Sequence, residues 1–247
     1  NDFYNYVKEV MNVLRDNLDY NAEPIPTLPN KVSVSMVSEK MKDLSEVPIG
    51  ISKHTLKAYV YDFKSSFMNL IISKNINNIV NFASSLLDVL SINNSINVRI
   101  IDMTQKVSDE KVDLERVLKA FEERIEMNND NLLIVLGVEK FMNQATSSGI
   151  DITEKMEKWQ ETNKCNLIFA ETINKLKNHQ YDDWYKNYVS EENGIWIGKG
   201  ILDQYAISLN SRNIDEATDS SFGYVVKDET PYLVKLIGID EKETENG

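Results

Sequence analysis

Residues 67–90, FMNLIISKNINNIVNFASSLLDVL, run from an apolar strand through a tight polar loop into an amphipathic helix. A phosphate-binding loop has this layout: its glycines let backbone N–H groups wrap the phosphates, its Lys neutralises them, and its Ser or Thr holds Mg²⁺. Setting G-x-x-x-x-G-K-[ST] on the stretch places Ser73 at the first Gly, Asn78 at the second, Ile79 at the Lys and Val80 at the Ser/Thr. Asn78 can still take a left-handed backbone. Ile79 and Val80 can neither neutralise a phosphate nor hold a metal. Lys74 lies within the loop as a conceivable surrogate cation, although a solvated surface lysine is the plainer reading.

The partner motif is missing in the same way. Enzymes with such a loop end a central strand on an Asp for Mg²⁺, often followed by an acid that polarises water. Here the apolar run Leu132 to Leu136 ends on Gly137 and Val138, and the first acid is Glu139. Losses at both motifs, each in frame, point to a chain that does not hydrolyse ATP. They leave no catalytic residue, only a vestigial nucleotide pocket at these positions.

Other residue types capable of chemistry are few. Cys165 is the only cysteine, which rules out an internal disulfide and fits a reducing compartment. It sits in the apolar stretch NKCNLIFAE, where a small buried core residue is expected. Two His and one Cys make no metal-ligand cluster. His54 and His179 lie in polar surroundings without a catalytic partner, and Asp62 and Asp102 each follow apolar strand residues and read as structural. Trp184, Tyr185, Tyr188 and Trp196 are concentrated in DDWYKNYVSEENGIWIG. Such aromatics can anchor a partner protein, although packing into their own core is the default.

These positions must be held by elements that hydrophobic periodicity makes legible. Residues 2–16 carry Phe3, Val7, Val10, Met11 and Leu14 at helical spacing. A connector with Pro24, Pro26 and Pro29 follows. Val37 to Leu44 reads as a short helix, VPIGIS (47–52) as a turn-like entry, and Leu56 to Phe63 as a first strand. That strand is expected to form a hairpin with the next, Phe67 to Ser73, across KSS. A helix over Ile79 to Leu90, a strand at Asn97 to Asp102 and an acidic helix at Asp113 to Met127 follow. The strand Leu132–Leu136 leads to helices near Val138–Thr146 and Ile152–Glu161, then to the strand Asn166–Ala170. FGYVV and PYLVKLIGI flank KDET as a terminal hairpin. Strand–helix alternation of this kind argues for an α/β fold with a mainly parallel sheet sandwiched by helices.

Bulk properties narrow the class. The 247 residues are 42% hydrophobic and 27% charged, which fits a soluble globular domain with a proper core. A net charge of −12 and no basic stripe argue against nucleic acid as a partner. No run of about 18 apolar residues and no signal peptide is present. The start on Asn1 rather than Met is expected of a domain excised from a longer protein, whose parent could sit in a membrane.

Taken in order, AEPIPTLP (22–29), VPIGIS, YVYDF (59–63), FMNLIIS…NF, NLLIVLGVEKF, NLIFAE and GIWIG (194–198) resemble an FtsK/SpoIIIE-type ATPase domain across about residues 22–237. More narrowly, the chain is similar to the third, C-terminal ATPase domain of the membrane coupling proteins of Gram-positive type VIIb secretion systems. The resemblance implies a RecA/FtsK-like P-loop NTPase sandwich with a C-terminal β-hairpin. In it residues 1–30 pack as helix and connector on a single degenerate ATPase domain, 31–247. It further implies a cytoplasmic domain of a cell-membrane protein that assembles as a hexamer. The implied partners are neighbouring ATPase domains and secreted substrates: WXG-type proteins, toxins or their chaperones. ATP and Mg²⁺ belong to the parent protein and are expected to be weak or absent here. Three readings stay open: a silent substrate-docking domain, an active motor for protein or DNA translocation, and a purely structural part of the ring.

Overall fold

The structure, a computed structural model, describes residues 2–17, 27–37, 41–107, 112–127 and 130–239. Pro24 and Pro26 of the expected connector lie outside the described residues. Among the described residues nine strands form one sheet: β1 (Val47–Ser52), β2 (Ala58–Tyr61), β3 (Met68–Ser73), β4 (Asn97–Asp102), β5 (Asn131–Leu136), β6 (Cys165–Thr172), β7 (Gly194–Ile197), β8 (Phe222–Lys227) and β9 (Thr230–Leu236). Their order is β2-β1-β9-β8-β7-β3-β6-β5-β4. The half from β7 to β4 is parallel, because helices separate its strands in sequence. The other half is antiparallel and joins the first through β7 and β8.

Helix α1 spans Asp2–Asn17 and α2 spans Val34–Val37. Helix α3 (Ile76–Leu90) carries the chain from β3 past β6 and β5 to β4. Helix α4 (Leu114–Met127) then returns it to β5, and α5 (Val138–Ser147) with α6 (Ile152–Thr162) takes it to β6. The direction of advance reverses after α3. Because β–α–β crossovers are right-handed, α3 and the later helices must lie on opposite faces. The two cores match this. Ile79, Phe82 and Leu86 of α3 pack with Leu132, Ile134 and Leu136. Phe121, Phe141 and Trp159 pack with the alternate residues Leu133 and Val135. One strand thus feeds both cores by its period of two, and the result is a three-layer sandwich.

Several expectations shift. VPIGIS is itself the strand β1, paired with both β2 and β9. Its Pro48 lies at a register break, where a missing N–H is tolerated, and a Cβ on Gly50 would collide with the Lys235 carbonyl. The expected first strand shrinks to β2 and pairs with β1, so no hairpin forms across KSS. β3 is instead an interior strand of the parallel half, between β7 and β6, and is buried along its whole length. Of the helix expected at Val37–Leu44, only Val37 falls in α2, residues 38–40 lie outside the described residues, and Leu44 lies buried in a turn. Helix α1 forms as expected, with its side chains from Asp2 to Val13 exposed. The terminal hairpin also forms. Its turn residues Asp228 and Glu229 both have positive φ, the geometry that matches strand twist, and it extends the sheet.

Candidate functional site

β3 and β6 are neighbours whose following segments leave to opposite faces. β3 feeds α3, and β6 feeds α7 (Ile173–Leu176) and α8 (Asp183–Tyr188), which pack with the α4–α6 layer. Such a reversal opens a crevice at the carboxyl ends of the strands, where open α/β sheets bind ligands. In this chain the crest of that crevice is made by Ser73 and Thr172, directly paired across β3 and β6, and by Gly137 at the end of β5.

The loop from β3 to α3 is only Lys74 and Asn75, because α3 begins at Ile76. Sequence spacing placed that start three residues later. Asn75 is the cap: its side-chain oxygen accepts from the Asn77 N–H at 2.9 Å. Ser73 Oγ donates to the Ile197 carbonyl at 3.0 Å and accepts from the Asn75 N–H at 3.2 Å. Asn78, Ile79 and Val80 therefore sit in the first turns of the helix, and all three are buried. The spacing that a phosphate-binding loop spends on wrapping is spent here on helix. Lys74 Nζ reaches Asp203 Oδ2 at 3.0 Å, passing so close to Gly200 (φ 83°) that a Cβ there would collide with the ammonium group. Lys106 Nζ hydrogen-bonds Asn77 Oδ1 from the other side.

At β5 the chain turns through Gly137, left-handed at φ 81°, into α5, and Val138 is wholly buried. The N-terminus of α5 is met by a carboxylate that sequence reading did not single out. Glu171 is buried at the end of β6 and accepts from the Glu139 N–H at 3.2 Å through one oxygen. Its other oxygen accepts from the Thr172 N–H at 2.7 Å and from Thr172 Oγ1 at 3.1 Å. A buried carboxylate is tolerable only with such donors, and a helix N-terminus favours it. The only advance signal was an acid directly after the apolar run NLIFA. The Glu139 carboxylate points elsewhere, to Asn178 Nδ2 at 2.8 Å. Asp102 is structural, accepting from the N–H groups of Thr104, Lys106 and Val107 at 2.9, 3.0 and 2.7 Å.

The remaining candidates are spread over the molecule. Trp184, Tyr185 and Trp196 are buried, and Tyr188 is half-buried with its ring edge-on to Phe67. His179 has a partner after all, Asp182 Oδ2 at 2.7 Å, which also accepts from Trp184 Nε1. Cys165 is buried, and burial pushes its thiol up to about 12. Among the described residues no group of three His, Cys, Asp or Glu could hold a metal ion, and no helix is long and apolar enough to cross a membrane.

Solved structures share this architecture. EssC (ATPases 2 and 3) from Geobacillus thermodenitrificans is similar over 94% of this chain and 49% of its own, with a TM-score of 0.73 at 14% identity. The cytoplasmic domain of EssC matches over 94% of this chain and 52% of its own, with a TM-score of 0.66 at 14% identity. Thermomonospora curvata EccC (ATPases 2 and 3), in complex with a signal sequence peptide, matches over 89% and 45%, with a TM-score of 0.56 at 13% identity. The fold is that of P-loop ATPase domains. The chain spans about half the length of these structures. No protein-family model and no curated protein matches it.

ATP and Mg²⁺, which this fold commonly binds, do not fit the residues at the crest. The Asn77 N–H is capped from within, an isoleucine fills the lysine position, and the buried carboxylate already accepts from Glu139 and Thr172.

Proposed function

We propose that this chain is a nucleotide-silent, ATPase-like domain of a type VII secretion coupling protein, and that it docks secreted proteins rather than driving their transport by hydrolysis. The observation carrying this reading is the two-residue β3–α3 loop, with Ile79 and Val80 buried in helix where a phosphate cradle would lie. The fold shared with EssC and EccC ATPase domains supports the secretion context. A signal sequence peptide bound to EccC ATPases 2 and 3 supports substrate contact as a task for domains of this architecture. Within the parent protein the domain would contact neighbouring ATPase domains of a membrane-anchored hexamer. Its clients would be WXG-type proteins, toxins or their chaperones. Calorimetric titration with a WXG-type substrate of the same system tests the docking half: saturable heat is expected. Absence of binding, together with export of every substrate in cells lacking the domain, would overturn it.

A further inference from the structure

Residues 208–221 form neither helix nor strand and run as a strap between the 3-10 turn Ile201–Asp203 and β8. A cavity of about 340 Å³ lies on each side of it. One is lined by Lys74, Lys199 and Ile201, the other by His54, Pro231 and Leu233. Ile214 and Tyr224 line both, so the strap and one phenol ring are the wall between them.

The strap's ends are held by backbone hydrogen bonds, the Ser208 N–H to the Glu191 carbonyl at 2.6 Å and the Leu236 N–H to the Ser221 carbonyl at 2.8 Å. Tyr224, itself buried, accepts from the Ala217 N–H at 2.6 Å and donates to the Asp215 carbonyl at 2.9 Å. The Asp215 carboxylate lies 3.5 Å from Lys53 Nζ and 3.6 Å from His54 Nε2. Asn210 is tied to the Glu229 carbonyl at 3.0 Å and to Thr230 Oγ1 at 2.8 Å. The ion pairs are partly exposed and hold weakly. The core of the strap, Ile214-Asp215-Glu216-Ala217, places an apolar residue on either side of two carboxylates. Ile214 packs at the core edge and Ala217 is buried. Glu216 lines the cavity that holds Lys74 and Lys199. On a chain of net charge −12, the basic groups Lys53, His54, Lys74 and Lys199 gather around these two cavities.

We propose that the strap is an internal stand-in occupying a docking groove, and that the groove's external ligand is an acidic segment of a partner protein carrying apolar residues beside its carboxylates. Lifting the strap merges the two cavities and frees Lys53 and His54 from Asp215. Lys74 then faces a choice between Asp203 and the incoming carboxylate. Charge complementarity argues for an acidic partner, because the strap's Asp215 already answers Lys53 and His54, and Glu216 lines the cavity beside Lys74 and Lys199. The proposal rests on the docking function above and specifies its regulation: the groove is closed until the strap is displaced.

The test uses the full chain and a fluorescent peptide copying residues 211–219, SRNIDEATD, added in trans. Wild type should bind it weakly because the strap is in place. Tyr224→Phe removes the pin, and binding should tighten about tenfold as the open fraction rises. Hydrogen exchange at the Ala217 amide should accelerate in parallel. A peptide with Asn and Gln in place of its Asp and Glu at positions 215 and 216 should lose the gain. The double variant Ile214→Ser with Asp215→Asn loosens the strap from its other side and should behave alike. Faster exchange in either variant without tighter peptide binding would overturn the proposal, as would unchanged exchange in both. The readout involves neither ATP nor a secreted substrate. Turnover of ATP would therefore sink the nucleotide-silent reading and leave the peptide result standing.

Discussion

Ile79 is a residue whose replacement separates a lost motif from a rebuilt site. A Lys there would restore the sequence pattern, but the side chain is wholly buried among Phe82, Ile71 and Ile134. Ile79→Lys should destabilise the chain by about 3–5 kcal/mol, the scale of an unpaired buried charge. That is a fall of about 10 °C in Tm for a chain of this size. Differential scanning calorimetry with and without Mg-ATP checks it: a stable variant that ATP stabilises further would contradict the closed crest. Asp219 gives the pH counterpart. Burial opposes its charge, yet the hydroxyl and N–H of Ser221, the Thr218 hydroxyl and the Lys235 ammonium outweigh burial and hold its carboxyl below the usual value. Its folded pKa is depressed, so the stability it contributes is present above the unfolded carboxylate value of about 4. That stability is lost as pH falls through the lower folded value. Asp219→Asn should lower the urea midpoint at pH 7 and flatten the acid loss below about pH 4. An unchanged acid limb would refute the assignment. Cys165 and Asp102 have the structural roles their apolar neighbours implied. Glu171 was not legible, because its partner Glu139 lies 32 residues away at the start of α5, and only the pairing of β5 with β6 brings the two together.

Elements were easiest to read where a long pattern fixes them, as in β5, α3 and the terminal hairpin. They were hardest to read where a short one is decided by neighbours. VPIGIS carries a Pro and a Gly, the marks of a turn, but β2 and β9 on either side supply the pairing that makes it a strand. The start of α3 moved to Ile76 because Asn75 caps it, and an Asn in a polar loop gives no unique cap position. That cap shortens the loop and sets Ile79 in the first turns of the helix, where it is buried. Asn75→Ala should cost about 1 kcal/mol and fray the first turn of α3, seen as faster amide exchange at Asn77 and Asn78. If exchange there does not change, the cap is not what fixes the start of the helix.

At the scale of the molecule, the alternation of strands and helices made the parallel half and its three layers legible. The strand order was not, because β7 joins β3 only through a connection that leaves β6 on the opposite face. That reversal puts a crevice at Ser73 and Thr172, where a nucleotide fold would hold its ligand, and the chain fills the crest with its own groups. Asn75 supplies the cap, Glu171 the buried carboxylate, and Asp203 the partner of Lys74. Trp184, Tyr185 and Trp196 are buried in the core. The measurement that bears most directly on this account is calorimetric titration of the whole chain with Mg-ATP, followed by assay of released phosphate. The expected result is no saturable heat and no phosphate above background. Saturable binding with turnover would contradict it, and would mean that another Lys and another carboxylate complete the site.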